Sequence, residues 1–183
     1  MKRSGGFRII ERTPLNEHGF LAIETRTVET PSGNHIDRFV VTHPGAVAVV
    51  ALDGDTALLL EQYRAPIDRT ILELPAGKLD QGDDDPVAAG KRELREETGY
   101  TARSWKILTS IWTSVGFCDE RITILLAEDL SPGEREPQGA EEIAATIKRI
   151  PLRQAVEMVT TGIIADAKTA VGILIADADA RTA

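Results

Sequence analysis

The stretch from Asp85 to Gly99, DPVAAGKRELREETG, constrains this chain more than any other segment. It carries its own start and stop signals. Asp85 ahead of Pro86 is an N-cap followed by a proline at the first helical position, where no backbone donor is lost. Gly99 supplies the left-handed residue on which helices end. A helix over 86–98 is therefore predicted, and at about 100° per residue Glu93, Glu96 and Glu97 fall within an arc of about 100° on one side of it. Like charges so placed repel by a few tenths of a kcal/mol per pair, in a chain whose net charge is already −8. Gly90, inside the helix, costs about 1 kcal/mol against alanine and implies a close backbone approach.

Two readings of the carboxylate face compete. A solvated acidic surface, with Arg92 and Glu96 as an ordinary i,i+4 ion pair, would need nothing further. Alternatively a hard divalent cation, which prefers carboxylate and phosphate oxygens, relieves the repulsion. The upstream sequence favours the second. ILELPAG (71–77) reads as a strand ending at Pro75 and Gly77, and DQGDDD (80–85) as an acidic loop leading into the helix. Strand, loop and helix together can make a site for phosphate and metal.

The remaining sequence reads mostly as strands. From Phe7 to about Val41, apolar and polar residues alternate around the turn cluster TPSGN (30–34), as in antiparallel strands. AVAVVAL (46–52) and TALLLEQYR (56–64), joined by DGD, read as two core strands of a hairpin. SWKILTSIWT (104–113), ERITILLAEDL (120–130) and IAATIKRIP (143–151) add strands, with an acidic Pro/Gly-rich loop at 131–142. LRQAVEMVTT (152–161) and DAKTAVGILIADA (166–178) have helical spacing, the latter with Asp166 as N-cap. Strands with a few interspersed helices indicate an α+β, or mixed α/β, fold.

Composition limits the function classes. The 183 residues suffice for one adequate core. Asp and Glu (29) outnumber Lys and Arg (21), which argues against broad binding to nucleic acid or to an anionic membrane. No apolar run approaches the ~20 residues of a membrane span, and Arg8, Glu11 and Arg12 interrupt any signal-like h-region. The expected location is cytoplasmic. Cys118 is the single cysteine, with no Cys-His signature, and reads as a small half-buried residue. The glycine spacing of a P-loop and the clustered ligands of a zinc hydrolase are both missing.

Gly77 and the run Arg92-Glu93-Leu94-Arg95-Glu96-Glu97-Thr98-Gly99-Tyr100 resemble the box that defines the Nudix hydrolase superfamily. Two features depart from its usual pattern: the intervening loop is one residue longer, and Asp83 or Asp84 stands in for an upstream glutamate. EQYR (61–64), LELPAG (72–77), VGFCDE (115–120) and DAKTAVG (166–172) are similar to the branch that cleaves ADP-ribose and other nucleoside diphosphate sugars.

The resemblance implies an α/β/α sandwich around a mixed sheet, spanning 44–183, behind an antiparallel β extension at 1–43 that builds a homodimer. It implies two or three Mg²⁺ ions, or Mn²⁺, held by Glu93, Glu97 and the carbonyl of Ala76, with Glu96 sharing one and Arg92 orienting the carboxylates. A general base is expected at Glu141 or Glu142, with Glu134 and Glu136 as alternatives. Arg64, Glu73, Phe117 and Glu120 match substrate-contacting positions. Three of these also have a plainer reading, Arg64 and Glu120 as strand-end surface charges and Phe117 as a loop anchor. Ser114-Val115-Gly116 lacks the proline common among ADP-ribose enzymes, which leaves GDP-mannose, UDP-glucose or a non-hydrolysing sugar-nucleotide sensor as alternatives.

Overall fold

The structure, a computed structural model, describes residues 5–80 and 85–182. Two compact units are present, one comprising the chain up to Gly45 with Trp112–Arg121, the other Ala46–Ile111 with Ile122–Ala183.

In the first unit, β1 (Arg8–His18), β2 (Leu21–Glu29) and β3 (His35–Thr42) form an antiparallel meander, as the alternation predicts. Its strands are largely exposed and are laced by ion pairs such as Arg8–Glu29 and Arg12–Glu24. Arg26 reaches from β2 to Asp119 at 2.7 Å, and Asp119 also accepts from the backbone N–H of His43. That ties the 112–121 segment to the meander.

The second unit holds a seven-stranded sheet in the order β10-β5-β4-β9-β8, with β6 added to β5 and β7 to β4. Its strands are β4 (Ala46–Asp53), β5 (Thr56–Arg64), β6 (Arg69–Glu73), β7 (Ala76–Lys78), β8 (Tyr100–Trp112), β9 (Arg121–Pro132) and β10 (Thr146–Pro151). The sheet is mixed, because β4 and β9 run parallel while β4–β5, β4–β7, β5–β6 and β5–β10 are antiparallel. The helices are α1 (Pro86–Thr98), α2 (Ala140–Ala144), α3 (Leu152–Thr160) and α4 (Ala167–Ala180).

AVAVVAL has no polar alternation because both faces of β4 are covered. Val47, Val49 and Ala51 pack with Leu58, Leu125 and α1 residues Ala89 and Leu94. Ala48, Val50 and Leu52 point the other way, into a core with Ile124, Leu152, Ala155 and Ile173 from β9, α3 and α4. The result is the expected α/β/α sandwich. Gly90 explains itself here, since a Cβ at that position would lie 2.3 Å from the Leu125 side chain.

Two expected elements differ in detail. The strand predicted over 71–77 splits into β6 and β7, because β4 and β5 pair with each other only near their turn, at Ala51–Asp53 and Thr56–Leu58. Beyond it they part, and β6 joins β5 while β7 joins β4. The chain crosses between them at Leu74–Pro75, where Pro75 accepts from Val49 N–H and needs to donate nothing. The strand predicted over 143–151 begins only at Thr146, and the residues ahead of it form the short helix α2.

Candidate active site

The parting of β4 and β5 creates the place where α1 presents its glutamates. Asp85 caps α1 by accepting from Val87 N–H, and Gly99 closes it at φ +75° with a hydrogen bond to Arg95 O. Packing of Ala89 and Leu94 against the sheet sets the rotation of the helix, which turns Glu93 and Glu97 towards β7. Glu97 is only 3% exposed and accepts from the backbone N–H of Ala76 at 2.8 Å. Glu93, also buried, lies against Gly77, where a Cβ would sit 2.1 Å from its carboxyl carbon. Only glycine leaves room for that carboxylate, which is the physical reason for the Gly77-to-Glu93 pairing in the motif.

Electrostatics set these groups apart. Burial pushes Glu97 up to about 8, and the neighbouring charges of Glu93 and Glu142 push in the same direction, against the Ala76 hydrogen bond. Burial likewise raises Glu93, opposed by Arg92, whose Nη1 donates to Oε1 at 2.7 Å. Arg92 also lies 3.8 Å from Glu96 and 3.4 Å from Asp80. Among the described residues no cation pairs with Glu97. Burial and mutual repulsion push Glu93 and Glu97 towards the neutral form, and an added divalent ion would relieve them.

The donor set therefore fits a hard cation: two buried carboxylates, a third on the same helix and the carbonyl edge of β7. Among the described residues no three His, Cys, Asp or Glu side chains already form a closed cage. Mg²⁺ does not need one, because it keeps several waters and takes substrate phosphates as ligands. Asp83 and Asp84 lie outside the described residues.

Of the two expected base residues, the fold separates the pair. Glu142 is half-buried, and its charge acts on both Glu93 and Glu97. Glu141 is exposed, and its charge is felt at the Tyr63 hydroxyl instead. Arg135, which sequence reasoning overlooked, holds α2 by donating to the carbonyls of Glu142 and Ala145. The same loop is stitched to α1 where Glu136 N–H donates to Glu96 O.

Arg64 and Glu73 meet as a bidentate pair at 2.6 and 2.8 Å. Lys168 of α4, another residue not singled out, donates to the second Glu73 oxygen at 2.5 Å. Desolvation would raise Glu73, but these two cations outweigh it and hold its carboxyl below the usual range. Phe117 and Glu120 lie in the first unit. Phe117 is exposed in a turn closed onto Ser114 O, and its own carbonyl accepts from Val41 N–H. Glu120 accepts from Thr113 Oγ1 at 2.7 Å and faces His43 Nε2 at 3.5 Å. Cys118 is half-buried beside it, as expected. No helix among the described residues is long and apolar enough to cross a membrane.

The NUDIX domain family model matches residues 42–170, more than half of the chain. An ADP-ribose pyrophosphatase of Bacillus subtilis is 42% identical over 80% of this chain and 79% of that protein. A methanol dehydrogenase activator of Bacillus methanolicus is 38% identical over 82% of each. Among solved structures, one described as an ADP compounds hydrolase superposes with a TM-score of 0.82 over 100% of this chain and 98% of the other. At 19% identity that likeness speaks for the fold.

Proposed function

The chain belongs to the Nudix family, and from that premise we propose that it hydrolyses the diphosphate of a nucleoside diphosphate sugar, with ADP-ribose, cleaved to AMP and ribose 5-phosphate, as the first candidate. The observation that carries the proposal is the inward pair Glu93 and Glu97, buried on α1 against β7 without a cation on Glu97 among the described residues. Glu93, Glu97 and the Ala76 carbonyl would hold Mg²⁺, or Mn²⁺, with Glu96 available to share a second or third ion. Such ions neutralise a diphosphate and acidify a coordinated water.

The chain's own groups then have distinct tasks. Arg92 fixes Glu93 by a charge-assisted hydrogen bond, so the ligand is aimed before substrate arrives. Glu142, whose charge reaches the same carboxylates, takes the proton from the water that attacks phosphorus. The broken bond is the phosphoric anhydride, and the leaving phosphate departs with the bridging oxygen. Arg64, partly exposed beyond its pair with Glu73, offers its guanidinium to the diphosphate. Phe117 and Glu120 remain candidate substrate contacts, to be tested through the KM of Phe117→Ala and Glu120→Gln.

The relative named as an ADP-ribose pyrophosphatase supports ADP-ribose. Ser114-Val115-Gly116, without the proline, keeps GDP-mannose and UDP-glucose in the comparison. The deciding experiment incubates purified protein with each of these, ATP and diadenosine polyphosphates, with and without Mg²⁺, beside Glu97→Gln. Mg²⁺-dependent release of a nucleoside monophosphate and a sugar phosphate, lost in the variant, is expected. Tight binding of a sugar nucleotide without turnover would make the protein a sensor.

The proposal extends to a homodimer built through the N-terminal strands and to a cytoplasmic location. Phe7, Ile9, Leu15, Phe20, Ile23 and Phe39 are exposed on the first unit, more apolar surface than a small meander sustains alone. Light scattering that finds a monomer at micromolar concentration would remove this part.

A further inference from the structure

DAKTAVG (166–172) is a motif without a task in the reading above. It forms the first turns of α4, and its side chains reach back to the strands that frame the carboxylates. Asp166 caps the helix, accepting from Thr169 N–H and Thr169 Oγ1. Thr169, fully buried, in turn accepts from Leu74 N–H at 2.9 Å, immediately before the crossing into β7. Lys168 Nζ lies 3.0 Å from Asp166 and 2.5 Å from Glu73 Oε2. Glu73 is 1% exposed, so no oxygen of it is left to meet a ligand once Arg64 and Lys168 are in place.

We propose that Lys168 is a positioning residue which, by clamping Glu73, sets the direction in which Arg64 presents its guanidinium to the diphosphate. This rests on the reading that Arg64 is a substrate contact. The geometry supplies a mechanism. A lone Glu73–Arg64 pair leaves the guanidinium free to rotate with the carboxylate about the Glu73 side-chain torsions. A second cation on Oε2, the oxygen that also accepts from Arg64 Nη2, is itself anchored by Asp166 at a helix N-terminus and removes that freedom. Glu73 thereby acts through Arg64 and does not itself touch substrate.

The test is a double-mutant cycle on kcat and KM for ADP-ribose at saturating Mg²⁺, with ADP-ribose affinity measured by calorimetry alongside. Arg64→Ala and Lys168→Met should each raise KM, the latter roughly ten-fold with kcat little changed. In the Arg64→Ala background Lys168→Met should add nothing, and Lys168→Arg should restore most of the affinity. If Arg64→Ala raises KM but Lys168→Met does not, the clamp is refuted while the contact stands. If Arg64→Ala itself leaves KM and affinity unchanged, the contact reading falls and the clamp with it. Equal losses of kcat and melting temperature from Lys168→Met in both backgrounds would show a purely structural lysine and overturn the proposal.

Discussion

Glu73 and Glu97 are both buried glutamates on the same sheet-and-helix framework, yet their environments differ in sign. Glu73 is met by a guanidinium and an ammonium and is held ionised. Glu97 is met by one backbone N–H and two neighbouring carboxylates, feels the Arg64 charge only at a distance, and is pushed by burial towards its neutral form. Burial alone therefore does not mark a functional carboxylate. The informative property is whether the chain completes the charge itself, because an uncompensated buried anion costs several kcal/mol unless something else neutralises it. Glu73 is completed from within the chain. Glu97 has no ion pair among the described residues, which is the gap a bound cation would fill.

The largest effect expected from breaking this contrast is on turnover. Glu97→Gln should lower kcat/KM about a thousand-fold, equivalent to about 4 kcal/mol. In EDTA at pH 8 the same variant should melt higher than the wild type, since it removes a buried charge that the metal-free protein cannot compensate. A lower melting temperature would mean that Glu97 is already satisfied.

Next in size, Glu73→Gln should destabilise the fold by about 3 kcal/mol in urea unfolding, because Lys168 and Arg64 lose their shared anion. A change below about 1 kcal/mol would place Glu73 among the exposed pairs and blur the distinction.

The pH dependence separates the two without mutation. Glu97 has a folded value near 8, above its ordinary 4.5. Between those values the folded metal-free protein holds a proton that the unfolded chain has released, so stability should fall as pH rises, by up to about 5 kcal/mol across the window. Glu73 is depressed, so its contribution is present above its ordinary value and is lost as pH falls through the folded value. Melting curves from pH 4 to 9 in EDTA, repeated with Mg²⁺, should show the decline between about pH 4.5 and 8 only without the ion. Persistence of the decline in Mg²⁺ would remove Glu97 from the ligand set.

The smallest effect is expected at Glu61, where an exposed pair with Lys148 spans β5 and β10 at 2.9 Å. Glu61→Gln should shift the melting temperature by less than about 2 °C. A larger shift would show that exposed pairs on this sheet matter as much as the buried ones.

Local signals were readable from the residues themselves. Asp85, Pro86 and Gly99 bound α1 because capping is decided within a few residues, and the unbroken apolar run of β4 announced a core strand. What escaped the sequence was decided at long range. Nothing local to Glu73 could reveal that Lys168, 95 residues away, shares its Oε2 with Arg64. The split at Leu74–Pro75 depends on two strands parting to accept different partners. α2 lacks a side-chain N-cap, and Arg135 holds it through its carbonyls. The carboxylate patch itself was legible, because 3.6-residue periodicity places Glu93 and Glu97 on one face whatever surrounds them.

The parallel pairing of β4 with β9 has a consequence for how the protein comes to be folded. Val49 sits opposite Leu125, so this central ladder must close a long stretch of chain before any of its contacts reward the loss of entropy. The meander β1-β2-β3 has only short turns to close and can form early. α1 cannot dock until the ladder has assembled the surface that receives Ala89 and Leu94. Docking of α1 beyond the rate-limiting barrier is the expectation that chevron kinetics check: substitutions at Glu97 should then alter the unfolding rate while leaving the folding rate nearly unchanged.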